Sequence, residues 1–211
     1  MRKIFLFIIC LGLSINAFSQ VKEITGDESV QELVEAYGKL KETSWRKKQK
    51  TEYYKNGKLL NVEEEIEESV KPDKQRFLRT ERRGKIINKS EIIIIGDIYY
   101  CRKNKGTWIK SESDCGDKFF ITGRGEEVSS RYTVEEIKLN NQNTKLFRQY
   151  DTYNDGKGLN YWDYKFWINE DDFIIQREIE TGLVKTKEIL SRMTEIIQIN
   201  PIDLKIEAPI K

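Results

Sequence analysis

The stretch Tyr161-Trp162-Asp163-Tyr164-Lys165-Phe166-Trp167-Ile168, followed by the polar run Asn169-Glu170-Asp171-Asp172, decides the fold class. Its even positions (Trp162, Tyr164, Phe166 and Ile168) are all apolar or aromatic, while Asp163 and Lys165 sit between them. A period of two marks a strand with one face turned to a core and the other to water. The acid-rich run that follows reads as a turn, and beyond it Phe173, Ile175 and Ile179 alternate with Gln176, Glu178 and Glu180. Two alternating runs joined by a tight polar turn predict an antiparallel hairpin.

The same pattern extends in both directions. Turn signals recur at Lys55-Asn56-Gly57, Arg83-Gly84, Lys103-Asn104-Lys105-Gly106, Asn154-Asp155-Gly156 and Thr181-Gly182. They separate expected strands at 45–54, 59–70, 75–82, 86–95, 97–102, 107–110, 132–139, 144–153, 159–168, 173–180, 184–191 and 194–199. One segment departs from this period. From Asp27 to Lys41 the apolar residues Val30, Leu33, Val34, Tyr37 and Leu40 recur at helical spacing, and Thr25 with Glu28 fits a capping box. The expected fold is therefore mainly β (α+β). One N-terminal amphipathic helix lies against a long curled antiparallel sheet that forms an open, incomplete β-barrel. The segment Ser111–Arg131 interrupts the meander and is long for a hairpin connection, as lids and binding loops often are.

Residues 1–19 read as a signal peptide, with Arg2 and Lys3 before the apolar run Ile4–Ile15 and small residues at Ala17 and Ser19. Residues 20–211 then form a single domain, placed in the periplasm or secreted, with no transmembrane anchor after cleavage. An oxidising compartment allows the two remaining cysteines, Cys101 and Cys115, to form a disulfide. Two unpaired thiols are the alternative.

Composition removes several functions. The chain has 211 residues, 37 basic and 35 acidic, and no histidine. Charge balance argues against nucleic acid as a partner. Absence of histidine excludes Ser-His-Asp and Cys-His catalysis and His-ligated zinc. Asp151–Gly156 lacks the ligand pattern of a calcium loop, because Tyr153 stands where an oxygen is needed. Arg46–Lys50 against the acidic run Glu63–Glu68 reads as a cross-strand charge ladder on the solvent face. No residue is singled out as catalytic, and neither metal nor cofactor is expected.

Gly96-Asp97-Ile98-Tyr99-Tyr100 with Gly106-Thr107-Trp108-Ile109-Lys110, and the closing Asn200-Pro201-Ile202-Asp203-Leu204-Lys205-Ile206-Glu207-Ala208-Pro209-Ile210, add to one helix and a long meander. In this layout the chain resembles the LolA-like superfamily of periplasmic lipoprotein carriers. The resemblance implies an unclosed barrel around a helix, whose apolar concavity takes up a lipid or lipoprotein acyl chain. Trp108, Phe119, Phe120, Trp162, Tyr164, Phe166 and Ile168 are the expected lining. The alternative is a structural or protein-interaction module of the cell envelope with no small-molecule ligand.

Overall fold

The computed structural model describes residues 21–112, 126–156 and 158–210. These form one twelve-stranded antiparallel sheet that does not close, with a single helix. In chain order the elements are β1 (Lys22–Ile24), α1 (Gly26–Glu42), β2 (Trp45–Lys55), β3 (Lys58–Val70), β4 (Lys74–Arg83), β5 (Ile86–Ile95) and β6 (Ile98–Lys103). There follow β7 (Ile109–Ser111), β8 (Glu126–Leu139), β9 (Gln142–Asn154), β10 (Leu159–Asn169), β11 (Ile174–Leu183) and β12 (Ile189–Ile199). The spatial order is β1-β8-β9-β10-β11-β12-β2-β3-β4-β5-β6-β7. Two meanders, β2–β7 and β8–β12, are thus welded where β12 pairs with β2 (Ile199 opposite Trp45, Ser191 opposite Tyr53).

The helix begins where the sequence places it. Thr25 accepts the Glu28 N–H, and Glu28 accepts the Thr25 N–H. Ala36 and Leu40 are buried against Phe147, Tyr164, Phe166, Ile168, Ile174 and Ile197, with Leu33 and Tyr37 packed beside them. Cross-strand partners point to the same side, so this helix face continues through Trp45 and Lys47 of β2 to Glu67 of β3. The opposite face carries the C-terminal tail. Ile206 is 3% exposed among Ile93 and Tyr100, and Asp203 pairs with Arg46.

Four sequence expectations are corrected. Residues 184–191 and 194–199 are not two strands, because the turn occupies 184–188 and a single strand β12 runs from Ile189 to Ile199. The strand expected at 132–139 begins at Glu126, and the short edge strand β1 was not foreseen. A register shift at Trp167/Ile168 sets Ile174 opposite Ile168, so Ile174, fully buried, takes the core place expected of Phe173. The far side of β10 is not wet. Tyr161, Asp163 and Trp167 are all below 10% exposed, because Arg148 holds Asp163 through two hydrogen bonds and Tyr161 stacks on Tyr150 while donating to Glu180.

Candidate functional site

The helix face of β10 builds an aromatic strip. Trp162, Tyr164 and Phe166 stack in sequence with ring centroids 5.8 and 6.5 Å apart, and Ile168 follows. The helix covers only one end of it. Ion pairs Lys39–Asp172 and Glu32–Lys145 pin α1 over the end bearing the β8–β9 and β10–β11 turns. There Phe166 and Ile168 fall to 7% and 2% exposure, whereas Trp162 at the other end is only partly buried. On the helix, Val30 and Val34 remain 56% and 63% exposed. By helical spacing they share the flank of Tyr37, whose hydroxyl accepts from Arg177 of β11.

Polar groups border this strip. On β9, Asp151 stands opposite Trp162 and is completely buried. It accepts from Gln149 Nε2 at 2.7 Å and from the Tyr153 hydroxyl at 3.1 Å. Sequence reading passed over Asp151 as part of a hairpin. The signal was available, since odd positions from Phe147 onward must share the core face.

A second missed feature crosses the same face. Arg177 and Glu195 lie 2.5 Å apart, Glu195 lies 3.9 Å from Lys47, and Lys47 lies 2.5 Å from Glu67. This ladder spans β11, β12, β2 and β3, with Glu195 2% exposed. Burial opposes the charge on Lys47, but Glu67 and Glu195 outweigh it and hold the ammonium above its ordinary pKa. Next to it, burial pushes the Glu65 carboxyl up, only partly offset by Lys47. The tail face carries its own ladder, Asp203–Arg46–Glu68–Arg76–Glu91–Arg102, in which Glu68 and Glu91 are buried. The charge ladder expected on the solvent face is therefore divided between both faces and largely buried. Each strand alternates, so Arg46 and Lys47 must point to opposite sides.

The expected lining residues do not all converge. Trp162, Tyr164, Phe166 and Ile168 lie together, but Trp108 packs in the separate cluster of Ile93, Tyr100 and Ile206, with the Arg102 guanidinium 4.5 Å from its ring. Phe119, Phe120 and Cys115 lie outside the described residues. Cys101, on β6, is not a free thiol. A groove of about 720 Å³ opens by the β8–β9 turn, but Lys138, Lys145, Glu170 and Asp172 give it a charged rim unsuited to a hydrocarbon. Among the described residues no cluster of three or more acids or cysteines could hold a metal ion, and no helix is long and apolar enough to cross a membrane. The chain matches no protein-family model and no curated protein.

Proposed function

We propose that this is an exported, non-enzymatic binding protein that takes an apolar chain, such as a lipid or lipoprotein acyl chain, against the helix face of its sheet. The observation that carries the reading is the uneven cover of the aromatic strip: Tyr164, Phe166 and Ile168 are buried in the core with α1, while Trp162 is only partly buried and Val30 and Val34 of the helix stay exposed. Apolar surface gains about 25 cal/mol per Å² on leaving water, so a hydrocarbon laid there binds without a catalytic group.

Chain length supports an incomplete barrel of the LolA-like kind. In a flat sheet, β7 and β8 stand ten strands apart, about 48 Å at the usual spacing. The chain from Ser111 to Glu126 reaches about 50 Å only if fully extended. A curled sheet removes that demand. A Cys101–Cys115 disulfide, closing a loop of about 15 residues, belongs to the same proposal, and peptide mapping without reductant reads it directly.

Titration with a fluorescent fatty-acid analogue tests the function. Wild-type protein should bind saturably. Trp162→Asp and Val34→Asp should weaken binding at least tenfold, since each places a charge beside the chain. Lys48→Ser, at an exposed position on the other face, should not. Circular dichroism accompanies each variant. Neither saturable binding nor lipid in organic extracts of natively purified protein would overturn the reading. The envelope interaction module would then stand, favoured by the charged ladder Arg177–Glu195–Lys47–Glu67 on the same face.

A further inference from the structure

All turns of an antiparallel meander fall at one end of the sheet or the other, and here the two ends differ in chemistry. One end carries the β3–β4, β5–β6, β8–β9 and β10–β11 turns, where Asp73, Asp97, Glu170, Asp171 and Asp172 outnumber Lys71 and Lys74. The other carries the β2–β3, β4–β5, β6–β7, β9–β10 and β11–β12 turns. Its β2–β3 and β4–β5 tips, Lys55-Asn56-Gly57-Lys58-Leu59-Leu60 and Arg82-Arg83-Gly84-Lys85-Ile86-Ile87, contain five basic residues and no acid, and the neighbouring acids are already engaged. Glu81 pairs with Arg83, and Glu188 accepts the Asn56 N–H. Lys185 and Lys187, in the β11–β12 turn, are also exposed.

At these tips large apolar side chains face water. Leu59, Leu60, Ile86 and Ile87 are 52%, 55%, 65% and 49% exposed. The register Val62–Arg82–Ile87 brings Leu59 and Leu60 level with the β4–β5 turn, so the four stand at the same end of the sheet, with Ile86 and Ile87 on opposite faces of it. The tips are tight turns, with Asn56 and Gly57 at φ 52° and 69° and Gly84 at 55°. Apolar side chains held at a rigid apex with a basic belt around them match a bilayer interface, which accepts hydrocarbon below a negatively charged headgroup layer. We propose that the β2–β3 and β4–β5 hairpin tips dock this protein onto an anionic lipid surface, Leu59, Leu60, Ile86 and Ile87 entering the interface and the surrounding lysines and arginines meeting the headgroups. The acidic turns at the opposite end then fix the orientation, pointing away from the membrane.

Docking requires no occupant on the helix face, so it is separable from acyl-chain binding. The test is co-sedimentation with large vesicles of phosphatidylethanolamine and phosphatidylglycerol, compared with pure phosphatidylcholine. The protein should partition at least tenfold more strongly onto the anionic vesicles and come off as salt rises. The combined variant L59S/L60S/I86S/I87S and the charge-reversed K55E/K58E/K85E should each lose at least tenfold. All these positions are exposed, and thermal melts check that both variants stay folded. Equal partition onto the two vesicle types, no partition onto either, or a serine variant that binds like wild type overturns the proposal. The last result would leave a purely electrostatic patch suited to an acidic protein.

Discussion

At the residue scale the unusual economy of the molecule lies in buried charge rather than in a large apolar core. Glu195, Glu68 and Glu91 are each nearly inaccessible, and each accepts from at least one cation on a neighbouring strand. Removing one partner of such a pair strands the other in a poorly solvated site. Glu65 is the exception, since it sits beside Glu67 and burial dominates its surroundings, which raises its pKa. A carboxyl that binds its proton more tightly when folded makes its favourable contribution at low pH. That contribution fades as pH rises from the unfolded carboxylate value through the higher folded one. Charged Glu65 is thus a liability at neutral pH. Glu65→Gln should melt at a higher temperature than wild type at pH 7, with the difference shrinking as pH falls through the raised folded value and lost below about pH 4.5, where both carry a neutral side chain. Thermal melts across pH 4–8 check this, and a gap constant with pH would refute it.

At the element scale, the helix and the β8–β11 half of the sheet were legible because their faces differ: apolar residues recur with a period of 3.6 in α1 and of 2 in β10. The β2–β6 half conceals its faces. Both sides of Glu63–Glu68 are polar, so alternation there says nothing about burial, and only pairing with Arg46, Lys47 and Arg76 shows which carboxylates are enclosed. Bulges were equally invisible, and one of them brings Ile174 in place of Phe173 onto the helix face opposite Ile168. Nor did the sequence show that Trp108 and Trp162 belong to different clusters, which requires the strand order. The tail is the element that covers the outer ladder: Ile206 anchors it among Ile93 and Tyr100, and Asp203 closes the end at Arg46. Ile206→Ala should therefore cost about 2–4 kcal/mol, as for a buried aliphatic truncation. Urea unfolding measures that loss, while Ile202→Ala, in the same tail but fully exposed, should change stability by less than about 0.5 kcal/mol.

At the scale of the whole molecule, curvature bears on one proposed function and not on the other. Only a curled sheet turns the helix face into a trough, whereas the β2–β3 and β4–β5 tips belong to adjacent hairpins whether or not the sheet curls. Twelve strands laid flat would span about 58 Å in width and about 40 Å in length. Such a slab has a radius of gyration of about 20 Å. A compact domain of about 190 residues has one of about 16 Å. Small-angle X-ray scattering on the monomeric protein distinguishes the two directly. The expected value is about 16–17 Å, unchanged on addition of the fatty-acid analogue if the trough is preformed. A value near 20 Å would describe an open slab with no enclosed trough, and would remove the geometric basis for acyl-chain binding while leaving the hairpin tips free to dock.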